Sequence, residues 1–237
     1  MDTSRLEVVV ENAADLAAND KEQFALIRRQ GLGASDSSTV LGISKWNSVE
    51  SLINQKRSLY VTPEELAIGE KPNVRMGADL EPFILNWFCR DADVDVYKPE
   101  PMYRLKEYPF LTINYDGIME GVVDIPVEIK CVSVFAHKYW DWDKAIEFGS
   151  APAPKPDVPF GGNIQNYIAE RAEQCGIPDY YYTQVQQQLL GVNSDHAYLV
   201  ALDVKEWRIC TFYVEQDELV QTYLIDAAND VWNKVIN

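Results

Sequence analysis

The sequence predicts one domain of the α/β class, with strands and helices alternating along the chain. Short segments rich in β-branched and apolar residues, among them 111–113 and 127–134, are bounded by glycine and proline, as is typical of strands. Other segments, most clearly 80–88, repeat apolar residues at the spacing of an amphipathic helix. The chain has 237 residues, of which 47% are hydrophobic, so it can bury a substantial core. We therefore expect a single domain over 1–237.

Composition also indicates a compartment. No apolar run is long enough to span a membrane, and the first residues lack a signal-peptide pattern, so we expect a cytoplasmic protein. The cysteines Cys89, Cys131, Cys175 and Cys210 are scattered and form no Cys-x-x-Cys pair. This argues against an iron–sulfur cluster or a structural zinc site, and it is consistent with free thiols in a reducing compartment.

The charge distribution bears on nucleic-acid binding, because proteins that bind phosphate backbones are usually basic. The net charge here is −16, but the segment 28–57 has five basic residues against two acidic ones. From 157 to the end there are four basic and twelve acidic residues. Any DNA path should therefore use the N-terminal segment, and the acidic remainder should serve solubility or partner docking.

The N-terminal third begins with a short strand and a helix within 1–26. A glycine-containing turn follows, and then a short helix over 37–41 for which Ser35 or Asp36 would be the N-cap. Together with Arg28, this turn predicts a phosphate pocket, although an ordinary capped turn has the same local pattern.

The next segments predict helices joined by a polar connection. Asn47 and Glu50 have capping-box spacing ahead of a helix over 51–56, and residues 60–75 form the connection. The clearest helix opens at Gly77, with a buried stripe formed by Leu80, Phe83, Ile84, Trp87 and Phe88. Glu81 lies at the edge of that stripe, where its carboxylate could support a metal site or could simply favour the helix start.

The central prediction is a pair of strands, 111–113 and 127–134, joined by a loop. Side chains two apart in a strand share a face, so Glu128 and Lys130 point one way and Ile129 points into the core. Asp116, at the end of the first strand, can then lie beside Glu128. Two adjacent carboxylates favour a hard cation such as Mg²⁺, and a neighbouring lysine suits developing phosphate charge. Taken alone, the Glu-x-Lys pattern is also typical of a solvated strand face.

The second half contains an excursion over about 141–178. Pro152, Pro154, Pro156 and Pro159 predict an exposed extended loop outside the core, followed by a helix over 163–175. We expect this excursion to border a DNA path or a subunit interface; a decorating insertion is the alternative.

The C-terminal part predicts a helix, two strands and a final helix. The helix over 181–190 is anchored by Val185, Leu189 and Val192, and its glutamine-rich face could be solvated or could brace a metal site. Strands follow over 196–203 and 207–214, and the last helix covers 219–236. His137 and His196 share no motif, so we expect structural roles for them.

Five blocks in this order resemble the YqaJ-like viral recombinases, which include the lambda exonuclease type of the PD-(D/E)XK nuclease superfamily. The blocks are Leu32-Gly33-Ala34-Ser35-Asp36, Gly77-x-x-Leu80-Glu81-Pro82, Asn114-x-Asp116-Gly117, Glu128-Ile129-Lys130-Cys131 and Tyr181-x-x-Gln184-Val185-Gln186. The resemblance runs from about Arg28 to the C-terminal helix. It implies a restriction-endonuclease-like α/β (α+β) core with a central mixed sheet flanked by helices. The segment between Lys130 and Tyr181 is longer than is usual in the family.

The resemblance also implies an activity and its partners. These are Mg²⁺-dependent DNA cleavage (with Mn²⁺ as a substitute), 5′ to 3′ resection of double-stranded DNA ends, a single-strand annealing protein as partner, and a homotrimer. A phage or prophage origin in a bacterial cell would follow. The alternatives are a non-catalytic DNA-binding recombination accessory protein and a structure-selective or single-strand endonuclease; the intact Asp116, Glu128 and Lys130 set argues against the first.

Site roles follow from the same resemblance, residue by residue. Asp116, Glu128 and the backbone carbonyl of Ile129 would bind the metal, and Lys130 would orient or activate the attacking water. Glu81 would support a metal or its waters, and Gln184 would brace the site. The residues expected to contact DNA or phosphate are Arg28, Ser35, Asn114 and Tyr181.

Overall fold

The computed structural model describes residues 1–149 and 157–237, which form two mixed sheets with helices packed against them. The strands are β1 (Leu6–Val10), β2 (Leu32–Gly33), β3 (Val96–Tyr97), β4 (Met102–Leu105), β5 (Leu111–Ile113), β6 (Gly117–Met119), β7 (Ile125–Val132), β8 (His196–Asp203) and β9 (Arg208–Glu215). The helices are α1 (Ala13–Asn19), α2 (Lys21–Arg28), α3 (Ser37–Val40), α4 (Val49–Arg57), α5 (Pro63–Leu66), α6 (Pro72–Ala92), α7 (Ile164–Cys175), α8 (Asp179–Leu189) and α9 (Glu218–Ile236). The α/β class with mixed sheets and flanking helices is as predicted.

The two predicted strands that a loop was expected to join, 111–113 and 127–134, belong to different sheets. One sheet has the order β1-β4-β5-β2, with β2 and β5 parallel. The other has the order β3-β6-β7-β8-β9, with β7 and β8 parallel and the remaining pairs antiparallel. The strand before Asp116 therefore does not pair with the strand of Glu128. The hairpin partner of β7 is β6, which begins directly after Asp116.

The core has two parts, one on each face of the five-stranded sheet. The larger part surrounds α8, whose Tyr182, Val185 and Leu189 are fully buried. The smaller part lies under α6, where Ile84 and Phe88 pack with apolar residues of β7 and β8. β7 thus lies between two helical layers, which fixes its position and that of the side chains it carries.

Helix α6 differs from the sequence prediction in its start and in its buried face. It begins at Pro72 rather than Gly77, because proline suits the first turn of a helix, where its missing N–H has no acceptor to lose. Phe83 is 51% exposed and contacts Trp87 edge-on, so the buried stripe is narrower than predicted.

One predicted cap was wrong, and a second, Asp36 of α3, is correct in position but makes no capping hydrogen bond with its side chain. Ser48, not Asn47, caps α4: its side chain accepts a hydrogen bond from the Ser51 N–H at 3.1 Å. Asp36 does not cap α3 through its side chain; instead its carboxylate accepts a hydrogen bond from the Gly33 N–H at 2.9 Å. The Ser35–Asp36 turn is a short 3₁₀ helix, Ala34–Asp36, that runs directly into α3.

The excursion contributes more to the core than we predicted. Trp142 on its first limb is buried, and Ile168 and Ala172 of α7 pack into the larger core part. Of the four prolines, Pro152, Pro154 and Pro156 lie outside the described residues. Within the described residues, no helix is long and apolar enough to cross a membrane.

Candidate active site

Strand β7 presents the central carboxylate and lysine of the site on one face. Glu128 is 2% exposed and Lys130 extends beside it, its ammonium donating to the Glu128 Oε1. Ile129, between them, is buried on the opposite face against the α6 side of the core. This alternation follows from the two-residue period of a strand and confirms the predicted orientation.

Asp116 reaches the same site from the turn between β5 and β6. Its Oδ2 accepts a hydrogen bond from the Ile129 backbone N–H at 3.0 Å, so the carboxylate is held against β7 beside Glu128. Gly117, which follows, lets the chain pack closely against β3: a Cβ there would lie 2.6 Å from Cγ1 of Val96. In the Asp116-Gly117 pair, the aspartate supplies the carboxylate and the glycine is needed because a larger residue would clash.

A cavity of about 210 Å³ collects nearly all the predicted site residues. The predicted residues that line it are Arg28, Ser35, Glu81, Asn114, Asp116, Glu128, Ile129, Lys130 and Gln184. Tyr181 is not in the lining, but its ring lies 4.9 Å from the Lys130 Nζ and so borders the site from one side. Residues from five separate parts of the chain meet here.

Glu128 has a third partner that the sequence did not suggest. Gln184 Nε2 donates to Oε1, and Gln188 Nε2 donates to Oε2 at 2.5 Å. Gln188 also lies 3.4 Å from the Asn114 carbonyl oxygen, and its own Oε1 is buried without a hydrogen-bond partner among the described residues. The four-residue spacing from Gln184 to Gln188 could have indicated this contact, since it places both side chains on one face of the helix.

The glutamine-rich face of α8 is buried rather than solvated. Gln187 Nε2 donates to the carbonyl oxygens of Leu32 (2.9 Å) and Thr112 (3.0 Å), which belong to β2 and β5. Gln186 Nε2 donates to the Glu215 carbonyl oxygen at 2.8 Å, at the end of β9. Consecutive glutamines thus tie α8 to both sheets and hold it over the cavity.

Burial and negative charge control protonation at this site. Burial and the charge of Glu128 raise the pKa of Asp116 to about 8, against the opposing effect of Lys130. Burial disfavours the charged form of Lys130, but the charges of Glu128 and Asp116 outweigh it and raise the pKa of this lysine above its ordinary value. The carboxylate pair therefore favours a cation, and Lys130 remains protonated.

Glu81 faces the cavity from α6 and forms an ion pair with a second lysine. Its carboxylate forms an ion pair with Lys98, which follows β3 and was not predicted. Burial disfavours the charged form of Lys98, yet the hydrogen bond to Glu81 and the nearby acidic groups raise its pKa. Glu81 therefore lines the cavity, but in this structure its carboxylate pairs with a cation of the chain.

Arg28 and Ser35 form the opposite wall. Arg28 Nη2 donates to the Ser35 Oγ at 3.3 Å, and the guanidinium pairs with no carboxylate in the described part of the chain. Ion pairs or carbonyl contacts occupy the neighbouring basic residues: Arg29 with Glu65, Lys56 with Asp36, and Arg57 with carbonyls at the end of α9. Of the predicted basic track, only Arg28 and Lys45 are free of such partners among the described residues.

Asn114 and Tyr115 connect this wall to α8. The Asn114 carbonyl faces Gln188, and the buried Tyr115 hydroxyl donates to the Gln188 carbonyl oxygen at 3.0 Å. Tyr115 is thus a structural residue that fixes the segment leading to Asp116.

The donor set of the site fits a hard divalent cation. Asp116 and Glu128 supply carboxylate oxygens, and because burial and the charge of Glu128 raise the pKa of Asp116, a bound cation would favour its ionised form. Among the described residues, no group of three or more histidine, cysteine, aspartate or glutamate side chains is arranged to hold a metal. The family resemblance assigns a third ligand to the backbone carbonyl of Ile129, and Ile129 lies in the cavity lining.

Comparison with known proteins gives consistent results. A model of the YqaJ-like viral recombinase domain matches residues 23–193. The uncharacterized protein YqaJ of Bacillus subtilis (strain 168) is 26% identical over 147 residues, which are 62% of this chain but only 43% of that protein. The crystal structure of an alkaline exonuclease from Laribacter hongkongensis superimposes with a TM-score of 0.58 at 15% identity, covering 91% of this chain and 94% of that one. Its complex with dAMP superimposes equally well. At this identity the structural similarity shows a shared fold.

Proposed function

Because this chain belongs to the YqaJ-like viral recombinase domain family, we propose that it is a Mg²⁺-dependent DNA exonuclease that resects double-stranded ends from 5′ to 3′. One observation supports this above others. A single cavity contains a carboxylate pair, a protonated lysine and an arginine that pairs with no carboxylate among the described residues, and these groups suit phosphodiester hydrolysis. The fold shared with an alkaline exonuclease supports the same reaction class.

The metal would be held by Asp116, Glu128 and the Ile129 carbonyl. When bound there, Mg²⁺ would supply positive charge beside the scissile phosphate and lower the pKa of a water molecule. Gln184 and Gln188 donate to the two oxygens of Glu128 and so fix the plane of that carboxylate. Supporting hydrogen bonds of this kind keep a ligand in the orientation that the metal needs.

Lys130 acts as a positioned cation. Its raised pKa keeps the ammonium protonated near neutral pH, so it cannot serve as the base that takes a proton from water. It can donate hydrogen bonds to the attacking water and stabilise the charge that develops on the phosphate. The Tyr181 ring beside it restricts the ammonium to the cavity side.

Arg28 and Ser35 would bind the phosphate next to the scissile bond. Their side chains already meet at 3.3 Å, and a phosphate could accept from both the guanidinium and the hydroxyl. Asn114, in the same lining, would add a polar contact.

We also propose that the protein acts with a single-strand annealing protein and assembles as a ring-shaped trimer. Resection exposes the single strand that such a partner would bind, and a ring would keep the enzyme on one duplex. Both proposals rest on the family and are tested by light scattering and by co-purification with the annealing protein.

A substrate comparison tests the main proposal. Linear and covalently closed duplexes, with 5′-phosphate or 5′-hydroxyl ends, are incubated with Mg²⁺ or with chelator. We expect degradation of linear DNA only, only with Mg²⁺, and nucleotide release from the 5′ end. Cleavage of closed circles at the same rate would indicate an endonuclease, and no hydrolysis of any DNA would refute the proposal.

Arg28→Ala extends this test to the phosphate wall. The variant should lose more rate on 5′-phosphorylated ends than on 5′-hydroxyl ends, because the charge-assisted contact exists only where the phosphate does. The matched control is Arg75→Ala, an arginine of α6 that is 69% exposed and does not line the cavity. Equal losses on both ends would show that Arg28 has a general structural role.

A further inference from the structure

An exposed group of aromatic and basic residues lies beside the catalytic cavity, and the proposed chemistry does not use it. We name it the aromatic strip: Lys45, Trp46, Lys138, Tyr139 and Tyr180. Trp46 is 70% exposed and Tyr139 is 54% exposed, although large aromatic side chains normally bury most of their surface. Trp46 lies in the loop after α3, and Tyr139 ends the short 3₁₀ helix His137–Tyr139 that follows β7.

The strip is continuous with the catalytic residues. The Lys130 Nζ lies 4.9 Å from the centre of the Tyr181 ring, and Tyr181 contacts Tyr180 with ring centres 4.4 Å apart. Tyr180 in turn contacts Trp46 at 4.7 Å, edge to face. An unbroken row of rings therefore runs from the catalytic lysine to the exposed indole.

Cations accompany the exposed rings. The Lys45 Nζ lies 5.2 Å from the centre of the Tyr139 ring, and the Lys138 Nζ lies 5.1 Å from it. Neither lysine forms an ion pair with a carboxylate in residues 1–149 or 157–237. In a chain with a net charge of −16, two such lysines around one exposed ring mark a local site for an anion.

Acidic residues adjoin part of the strip. Asp141, Glu173 and Asp179 line a hollow together with Lys45 and Tyr139, and Asp141 is paired with Lys144 at 3.4 Å. They make the hollow itself unsuitable for phosphate. A nucleic-acid backbone that runs along Lys45 and Lys138, with its bases toward the aromatic rings, would keep its phosphates out of this hollow.

We infer that the aromatic strip binds unpaired bases of the DNA strand whose backbone enters the catalytic cavity. This inference rests on the proposed function, because it is the nuclease substrate that supplies the strand. Rings interleaved with lysines are suited to single-stranded nucleic acid, since every base has a face that can stack and the lysines attract the phosphates. The strip would thereby hold the end of the strand unpaired at the point where Lys130 acts.

Binding measurements with chelator present test the inference without hydrolysis. The probes are a fluorescent single-stranded oligothymidylate and a DNA hairpin with a fully paired, blunt end. Trp46→Ala and Tyr139→Ala should each weaken binding of the single strand by about tenfold, the effect expected for one lost stacking ring. Binding of the blunt hairpin should change much less, and Trp46→Phe should restore most of the single-strand affinity because it keeps a ring.

Trp207→Ala is the matched control. Trp207 is 68% exposed, almost the same as Trp46, and lies in the turn between β8 and β9. Its replacement should leave both affinities unchanged.

Three results would overturn the inference. The first is that Trp46→Ala and Tyr139→Ala bind the single strand as tightly as the unmodified protein does. The second is that each variant loses the same affinity for the single strand and for the blunt hairpin. The third is that light scattering gives the variants a different particle mass from the unmodified protein. The last would identify the strip as a subunit interface. Failure of the proposed function looks different: the unmodified protein would then hydrolyse no DNA with Mg²⁺, whatever the strip variants bind.

Discussion

Asp116→Asn should stabilise the metal-free protein while abolishing nuclease activity. Asparagine keeps the shape of the side chain, and its oxygen can still accept the hydrogen bond from the Ile129 N–H. It removes the charge that burial and Glu128 disfavour, which is the reason the pKa of Asp116 rises from 3.8 to about 8. The charged Asp116 carboxylate therefore lowers the free energy of unfolding of the metal-free protein.

The sign and size of this effect follow from linkage. Below pH 3.8 the carboxyl is protonated in both the folded and the unfolded chain, so it costs nothing. As pH rises from 3.8 to about 8, only the unfolded chain ionises, and the folded protein loses up to about 1.4 kcal/mol per pH unit. At pH 7 the ceiling is about 4 kcal/mol. Asp116 is partly exposed to the cavity, so we expect about 2 kcal/mol, or a rise in Tm of about 5 °C for a chain of this length.

The assay is urea unfolding of both proteins in chelator at several pH values between 5 and 8. The stability advantage of Asp116→Asn should grow with pH, whereas Asp143→Asn, which removes an exposed carboxylate, should show no such growth. Adding Mg²⁺ should stabilise the unmodified protein and not the asparagine variant, because binding to the folded state raises stability. Stability curves that stay parallel across this pH range would refute the electrostatic reasoning.

The remaining predictions concern the lysine, the unforeseen glutamine and two glycines. Lys130→Ala should lower the single-turnover rate by about 10² or more while Mg²⁺ still binds, and a calorimetric titration without heat would contradict this. Gln188→Leu should weaken Mg²⁺ affinity by about tenfold, because it removes the amide that donates to Glu128 Oε2 and fixes that carboxylate; unchanged affinity would remove Gln188 from the site. Gly176→Ala should destabilise by about 2 kcal/mol or more, since φ is +78° and a Cβ would lie 2.7 Å from the Asp141 carbonyl oxygen. Gly77→Ala in α6, where a Cβ meets nothing, should instead stabilise by up to about 1 kcal/mol, and thermal melts distinguish the pair.

The sequence by itself determined which neighbouring side chains share a face and which family the chain resembles. Glu128 and Lys130 share a face because strand side chains alternate, and this relation is local and independent of the rest of the fold. The amphipathic period located α6 and α8, and five short motifs in one order were sufficient to indicate the family. Each of these inferences depends on residues within a few positions of one another, where backbone geometry alone sets the spacing.

Only the tertiary structure decided which strand pairs with which, and which polar groups have partners. The segment 111–113 has the same apolar pattern as any buried strand, so its membership of the other sheet could not be read from it. The basic count of 28–57 suggested a DNA track, but ion pairs to Glu65 and Asp36 use two of its five cations. The sequence left the glutamine-rich face of α8 open to two interpretations, and it gave no sign that Gln188 donates to Glu128. In each case the deciding contact joins residues far apart in the chain, and such contacts depend on how whole elements pack, which local sequence patterns do not specify.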